Sequence, residues 1–311
     1  MTPEQKSFEA AIKERLAERA RLLLATDQRT VALLRDALVQ INQQLTAQPA
    51  DWKLWQLTRL RDQLETVLTA TGTLAGTAAS LALRDAWQLG EDFVDKPLAV
   101  AGFNVEMRLQ ALDARVLAAM RTFSVDRMKD VTEVAAGKIA QQLGLVTIGG
   151  KTPFEAIKSV EAILGEESAK RATTIVHTEV SRAFAVANNE RLVQASPLVP
   201  GLGKQWRRSG KIHSRWNHDL MDGQVVEAGK LFKVPNPGGG FDMMQCPHDP
   251  AAPVGQVINC GCISIPWMAG WKVSTPGAKP FTERELKLDG RKAALDQAAK
   301  QAGRRREGPA R

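Results

Sequence analysis

The sequence predicts an α+β protein in which an extended helical N-terminal region is followed by a small mixed α/β domain with short strands and by a basic tail. Apolar residues recur at helical spacing through most of the first 195 residues. After Pro197, glycine and proline become frequent and the apolar segments shorten, which is typical of strands joined by turns. A chain of 311 residues is long enough for two domains, or for one domain with a long extension.

The N-terminal region is predicted to consist of long helices. Residues 4–25 are rich in alanine, leucine, glutamate, lysine and arginine, which are strong helix formers. Apolar stripes at steps of three and four residues follow, and we interpret them as the core of a helix bundle or, alternatively, as surfaces that pack against other subunits. The stripes are Leu33, Leu34, Leu38, Ile41 and Leu45; Leu54, Leu57, Leu60, Leu64 and Leu68; and Val105, Leu109, Leu112, Val116, Met120 and Phe123.

Helix boundaries are predicted from glycine, proline and capping residues. Thr152 should cap a helix, because a proline follows it at the first helical position and Glu155 stands three residues after the cap. Gly165 is expected to end that helix, and a longer helix is expected from about Glu166 to Gln194. Further breaks are predicted at 48–51, 96–97, 102 and 149–150.

Residues 66–83 carry no charge over 18 positions and raise the question of a membrane helix. Their threonine, serine and glycine content makes insertion into lipid unfavourable, so we expect no membrane contact. Gly72, Gly76 and Ser80 share one helical face, which permits close helix packing in water and would favour dimerisation in lipid. The first residues, Met-Thr-Pro-Glu-Gln, lack the pattern of a secretory signal, so a reducing compartment is expected.

Short strands are predicted in the second half of the chain. The candidates are residues 204–207, 224–226, 231–234 and 262–266. The segment 237–240 contains three consecutive glycines but lacks the Gly-Lys-Ser/Thr ending of a phosphate-binding loop. We therefore expect it to form a turn.

All three cysteines and one of the four histidines lie within 17 residues. Cys246-Pro-His248 and Cys260-Gly-Cys262 supply three thiolates and one imidazole, which would complete a tetrahedral shell for a structural zinc ion. The single residue between the members of each pair is a tighter spacing than usual for zinc. The alternative is that Cys260 and Cys262 are ordinary side chains of a strand and that Cys246 and His248 are incidental.

A second polar group contains His218, Asp219 and Asp222. A metal-dependent nuclease or peptidase could use His218, Asp222 and the Cys/His cluster, and this is the alternative function. Otherwise Asp222 and Gly223 form a turn, and His218 hydrogen-bonds the backbone. Because no matched pair of carboxylates and no activated nucleophile accompanies the group, we predict no catalytic residues and no enzyme activity.

The net charge of +8 is concentrated at the C-terminal end of the chain. Residues 272–311 contain 11 lysines and arginines against 5 aspartates and glutamates, so this tail carries +6. The run Arg304, Arg305 and Arg306 could contact DNA phosphates, which require charge but no fixed geometry. The same run would also suit a solvated tail, or a segment that binds an acidic protein surface.

Between residues 171 and 262, several short motifs follow one another in a distinctive order. They are Arg171-Ala172, Thr178-Glu179, Lys204-Gln205-Trp206, His218 followed by Asp222-Gly223, and Asn259-Cys260-Gly261-Cys262. In this order and spacing they resemble the phage Mu F-like minor head protein family, also called phage head morphogenesis proteins. The resemblance covers about residues 125–267. Departures occur at 210–215, where many members carry Asp-X-Arg, and at Gly261, where an arginine is common.

This resemblance implies a structural minor capsid protein that is assembled in the host cytoplasm and lies inside the phage head at the portal vertex of the virion. The implied partners are the portal protein, the major capsid or scaffolding protein and packaged DNA. Residues 1–125 would form a helical region that binds the portal or another partner, residues 126–271 the Mu F-like head morphogenesis domain, and residues 272–311 the basic tail.

Overall fold

The computed structural model describes residues 1–47, 54–103, 105, 108–209 and 215–271. It is an α+β structure in which long N-terminal helices precede a small region of short antiparallel strands, as the sequence predicts. The basic tail, 272–311, lies outside the described residues, and with it Arg304, Arg305 and Arg306.

Five long helices account for most of the described residues. They are α1 (Pro3–Thr46), α2 (Leu54–Val100), α3 (Ala114–Thr147), α4 (Pro153–Ala162) and α5 (Ala169–Ala195). A π-helical segment, Ile163–Ser168, joins α4 to α5. Two four-residue helices follow in the C-terminal part, α6 (Trp216–Asp219) and α7 (Val254–Val257).

The strands form two small antiparallel sheets. β1 (Leu202–Arg207) lies between β2 (Val225–Glu227) and β5 (Ile263–Met268), with Lys204 opposite Val226 on one side and Pro266 on the other. β3 (Phe232–Pro235) and β4 (Phe241–Met244) form a hairpin. Each predicted strand is therefore present, and β4 is an additional strand that the sequence did not predict.

The described residues divide into two compact units that are each built from separate stretches of the chain. One contains 20–85 and 113–180; we call it the helical unit. The other contains 1–19, 86–112 and the residues from Ser181 on; we call it the sheet unit because all five strands lie in it. These units are defined by contacts in space. The functional division of the chain into residues 1–125 and 126–271 stays a prediction.

The core of the helical unit confirms two of the predicted stripes. It contains Ile41 and Leu45 from α1 and Leu57, Leu60, Leu64 and Leu68 from α2, all of them buried. The third stripe, 105–123, was predicted as one helix and this is wrong. Asp113 caps α3 by accepting a hydrogen bond from the Arg115 amide at 2.9 Å, so the helix begins only after the cap. Phe123 at the far end of the stripe is 46% exposed.

The face of small residues on α2 packs against α3 inside the helical unit. A side chain added at Gly72 would collide with Thr132, and one added at Gly76 would lie 3.1–3.3 Å from Val125. The Ser80 hydroxyl accepts a hydrogen bond from Arg121 Nε at 2.8 Å. The predicted close packing at this face is therefore confirmed, and it occurs within the chain, between α2 and α3.

Thr152 caps α4 as predicted. Its hydroxyl accepts a hydrogen bond from the Glu155 amide at 3.3 Å, and the Glu155 carboxylate accepts one from the Thr152 amide at 2.8 Å. The predicted helix end at Gly165 is wrong, since the π-helical segment carries the chain through it into α5. In that segment the Ser168 hydroxyl donates a hydrogen bond to the Ile163 carbonyl at 2.8 Å.

The predicted break at Lys96–Pro97 is also wrong, because α2 continues to Val100. Pro97 stands in the last turn of α2 and removes one backbone hydrogen bond there, and the neighbouring Phe93, Val94 and Leu98 are fully buried. The breaks predicted at 102 and 149–150 are confirmed, with both Gly102 and Gly149 at positive φ. The break at 48–51 lies outside the described residues.

Part of α2 is apolar enough to pass a test for membrane-spanning helices. Within Leu57–Val100, an 18-residue window has a mean hydropathy of 1.3, and half of that window is buried inside the protein. A helix in an ordinary protein core passes the same test. This finding is weak evidence for a membrane, and the absence of membrane contact stays a prediction.

The glycine-rich segment 237–240 is a turn, as predicted, and it connects β3 to β4. The Asn236 side chain accepts a hydrogen bond from the Gly238 amide at 2.8 Å, and the Asn236 amide donates to the Gly240 carbonyl at 3.0 Å. Gly239 and Gly240 have φ values of 101° and 77°, which residues other than glycine rarely adopt.

The close approach of α2 and α5 in the sheet unit gives a first prediction. A Cβ atom at Gly90 would lie 2.5 Å from the Phe184 carbonyl oxygen and 3.1 Å from the Asn188 nitrogen, both backbone atoms of α5. Gly90→Ala would force the helices apart, and we expect it to lower the free energy of unfolding by about 1–3 kcal/mol in urea titrations.

Gly137 in α3 is the matched control, because nothing lies within 4 Å of an added Cβ atom there. Gly137→Ala should raise the free energy of unfolding by up to about 1 kcal/mol through helix propensity alone. Equal effects of the two substitutions would contradict the close approach at Gly90.

Candidate metal centre

Three buried side chains of the sheet unit converge on one point. His218 lies on α6, while Cys260 and Cys262 lie immediately before β5. They are 1%, 4% and 1% exposed, and among the described residues they form a group whose ligand atoms all lie within 4.8 Å of one another. These three residues could hold a metal ion.

The distances within the group fit tetrahedral coordination. His218 Nδ1 lies 3.3 Å from Cys260 Sγ and 3.7 Å from Cys262 Sγ. A nitrogen about 2.1 Å and a sulfur about 2.3 Å from one zinc ion, at the tetrahedral angle, are about 3.6 Å apart. The two observed distances lie on either side of that value, so an ion can be accommodated with only small movements of the side chains.

The hydrogen bonds of Gln256 determine which nitrogen of His218 faces the sulfurs as an acceptor. Gln256 Nε2 donates to Asp242 Oδ2 at 2.6 Å, so its Oε1 is free to accept from Asn217 Nδ2 at 2.9 Å and from His218 Nε2 at 2.8 Å. His218 Nε2 therefore carries the proton, and the lone pair of Nδ1 points toward Cys260 and Cys262. A histidine that binds a metal through one nitrogen commonly donates from the other in this way.

The two thiols differ in acidity. The hydrogen bond from the Cys262 thiol lowers the pKa of Cys260 well below its ordinary value, and donating that bond raises the pKa of Cys262 well above it. The Cys262 amide also donates to Cys260 Sγ at 3.4 Å. Cys260 is therefore the first of the pair to become a thiolate, which is the form that binds metals.

Aromatic and apolar side chains close the group off from water. The Trp206 ring packs edge-on against the His218 ring at 5.4 Å and against Phe232 at 5.2 Å, and Trp206 is fully buried. Cys260 and Cys262 belong to the same apolar cluster as Trp206. A dry environment of this kind strengthens the bonds between an ion and its ligands.

The other two predicted ligands, Cys246 and His248, are outside this group of three. Burial raises the pKa of the Cys246 thiol to about 12, and its charged neighbours are Asp249 and Lys204. His248 is fully buried, and neither of its ring nitrogens meets the geometry of a hydrogen bond to a described residue. The predicted set Cys246, His248, Cys260 and Cys262 thus differs from the observed group in lacking His218 and in including both Cys246 and His248.

Asp219 and Asp222 face a different side chain from His218. The Arg208 amide donates to Asp222 Oδ1 at 2.8 Å, and the Arg208 guanidinium lies 3.7 Å from Asp222 and 3.9 Å from Asp219. Arg208 is 2% exposed, so these contacts compensate a buried charge. The two carboxylates are absent from the metal-binding group of described residues.

Sequence reasoning missed Gln256, and it connected His218 with the Cys/His cluster only in the alternative function of an enzyme. His218 is 42 residues away from Cys260, a separation that suggests no ligand pairing. Nothing in the sequence pointed to Gln256, because a glutamine that hydrogen-bonds a metal-binding histidine stands at no fixed spacing from it. His213, another histidine of the same segment, lies outside the described residues.

Comparison of the chain with protein-family models, with curated proteins and with solved structures gave no match.

Proposed function

We propose that this chain is a structural minor capsid protein of a tailed phage, of the Mu F-like kind, which binds at the portal and acts in head assembly. The observation that carries the proposal is that residues of the Mu F-like block, distant in sequence, bond to one another within the sheet unit. Asn188 Nδ2 donates to the Ser264 carbonyl at 2.9 Å, and Lys204 Nζ donates to Asn189 Oδ1 at 2.8 Å. Together with the group around His218, these contacts fasten α5 and α6 to the sheet.

The geometry gives less support to the alternative, a metal-dependent nuclease or peptidase. Such an enzyme needs a metal with an open position that substrate and water can reach. His218 is directed at two buried sulfurs, whereas Asp222 is engaged with Arg208. A buried group whose members bind one another supports a role in stabilising the fold.

We infer that the metal held by His218, Cys260 and Cys262 is zinc. Thiolate and imidazole ligands in a tetrahedral arrangement are typical of structural zinc sites, and zinc has no redox chemistry that would endanger neighbouring thiols. When bound, the ion would link α6 to the start of β5 by direct coordination. The cross-link would stabilise a unit whose strands are only three to six residues long.

In this proposal the protein is assembled in the host cytoplasm and stays inside the head at the portal vertex. The helical unit offers a surface for the portal, or for the major capsid or scaffolding protein. Leu74 and Leu81 are 56% and 36% exposed and lie two turns apart on one face of α2. The face of Gly72, Gly76 and Ser80, by contrast, is covered by α3.

Charges introduced at these leucines should prevent portal binding. We expect the double substitution Leu74→Glu, Leu81→Glu to abolish co-purification of the protein with the portal protein of the same phage genome, because each glutamate would have to be desolvated in an apolar interface. The measurement is size-exclusion chromatography of the two co-expressed proteins, preceded by a check that portal and major capsid genes lie beside the gene for this chain.

Leu231→Glu is the matched control, since Leu231 is 42% exposed but belongs to the sheet unit. It should leave portal binding unchanged. If the double variant folds and still binds the portal while Leu231→Glu does not, the surface on the helical unit is wrong, and if wild-type protein does not bind the portal, the proposed partner is wrong.

A further inference from the structure

His248 is a buried histidine whose polar atoms have no evident role in stabilising the fold. Its side chain is 0% exposed, and neither ring nitrogen meets the geometry of a hydrogen bond to a described residue, although Cys260 is close enough to interact with the ring. A buried polar group left without a partner costs about 1–3 kcal/mol, so such groups are rare and need an explanation.

The backbone at His248 adds a second cost. Its φ of 66° lies in the left-handed region, where residues other than glycine are uncommon and histidine, asparagine and aspartate are the more frequent exceptions. The other non-glycine residue with positive φ in the described chain is Asn259, which precedes Cys260. Unfavourable backbone conformations of this kind persist where the position of a side chain matters for function.

The strained turn is held in place by Asp249. Its carboxylate accepts hydrogen bonds from the Gln245 amide at 2.7 Å and from the Ala251 amide at 2.9 Å. The Asp249 amide in turn donates to the Cys246 carbonyl at 3.2 Å. These bonds fix the direction in which the His248 ring leaves the backbone.

Among the ionisable neighbours of the ring, Cys260 has the largest effect on its pKa. Burial lowers the pKa of His248, and the Cys260 thiolate opposes this effect, while the positive charges of Arg19 and Arg182 add to it. The same contact appears from the other side, since His248 helps to lower the pKa of Cys260. The ring therefore interacts with Cys260, a member of the group of three, while its own nitrogens lie outside the set of ligand atoms within 4.8 Å of one another.

We propose that His248 is the fourth ligand, which closes a Cys2His2 shell with His218, Cys260 and Cys262 around a divalent ion of tetrahedral preference. This inference rests on the proposed zinc site and extends it. It explains both the unpartnered ring and the left-handed backbone of a buried residue, because the free energy of a coordinate bond offsets the two costs. Cys246 is then a buried thiol outside the shell.

Cobalt(II) substitution tests the assignment, because the visible spectrum of cobalt reports the number of thiolate ligands. Apo protein loaded with Co²⁺ should show intense d–d bands of a tetrahedral site with two sulfurs. His248→Cys should move these bands to longer wavelength and strengthen the thiolate-to-cobalt charge transfer, since a third sulfur enters the shell, while Co²⁺ stays tightly bound.

His248→Gly removes the ring and also suits the left-handed backbone, so it should fold without strain. We expect it to weaken Co²⁺ and Zn²⁺ binding by more than about 100-fold, the upper end of what loss of an outer-shell partner costs. Cys246→Ala is the control and should change neither affinity nor spectrum.

The outcomes separate this inference from the site on which it rests. If wild-type protein binds no Co²⁺, the metal centre itself is wrong. If wild type binds Co²⁺ and His248→Gly retains its affinity and spectrum, the fourth ligand is not His248. A spectrum altered by Cys246→Ala but not by the two His248 variants would assign the position to Cys246 instead and overturn the inference.

Discussion

Cys260→Ser is expected to abolish metal binding and to lower the melting temperature of the sheet unit by about 8–16 °C. Free zinc at about 1,000 times its dissociation constant adds about 4 kcal/mol to stability, and about 1 kcal/mol corresponds to about 2–4 °C for a unit of this size. Serine preserves the shape of the side chain but does not supply a thiolate. The measurements are elemental analysis, with about one zinc per wild-type chain, and calorimetry.

The chelator dependence of the effect distinguishes metal loss from loss of packing. In excess chelator, the melting temperatures of wild type and Cys260→Ser should become nearly equal, because neither then holds an ion. Cys246→Ala also removes a fully buried sulfur, and its smaller destabilisation should be the same with and without chelator. Wild-type protein purified without chelator and free of metal would refute the zinc proposal.

The long helices could be predicted because many apolar residues repeat the same helical spacing, so that the prediction does not depend on any single one. Several leucines of one stripe, such as Leu57, Leu60 and Leu64, each give the same spacing, and all three are buried. The helix cap was also predicted correctly, because its hydrogen bonds join only two nearby residues, Thr152 and Glu155. Strand β4 was missed because its apolar residues do not mark its buried face: Phe241 and Met243 are half exposed, whereas Asp242 is partly buried and Met244 is buried.

Helix breakers were misleading where tertiary packing outweighed local preference. Pro97 lies among three fully buried apolar neighbours, and Gly165 lies beside the buried Ile163 and Leu164. At both positions, burial of the flanking residues outweighs the cost that the helix breaker imposes on the backbone. No pattern in the sequence reports that balance, because it depends on which helix lies alongside.

The metal centre was half predictable for a related reason. Cys260 and Cys262 belong to one short segment, so their proximity follows from the sequence. His218 reaches them through the packing of α6 beneath Gln256, a contact between residues 38 positions apart. Cys246 and His248 were included because of their spacing in the sequence, and both lie outside the group of three that the described residues form.

The basic tail is expected to bind duplex DNA weakly, without sequence preference and with a steep dependence on salt. Residues 272–311 carry +6, whereas the remainder of the chain carries +2. If Arg304, Arg305 and Arg306 each neutralise one phosphate, released counterions should weaken binding about 40-fold between 50 and 200 mM salt. Fluorescence anisotropy with one labelled duplex would compare the full chain with a chain that ends at Trp271.

Two triple substitutions test whether the position of the charge matters or only its amount. Glutamine at Arg304, Arg305 and Arg306 should remove most of the affinity and flatten the salt dependence, because phosphate contacts need cations that can reach the backbone. Glutamine at Arg21, Arg29 and Arg35, which are exposed on α1, removes the same charge and should change binding little. Equal losses from both variants would mean that net charge alone governs the interaction. Equal binding by the full chain and the chain ending at Trp271 would instead locate the DNA contact in the folded units, where the charge is nearly balanced.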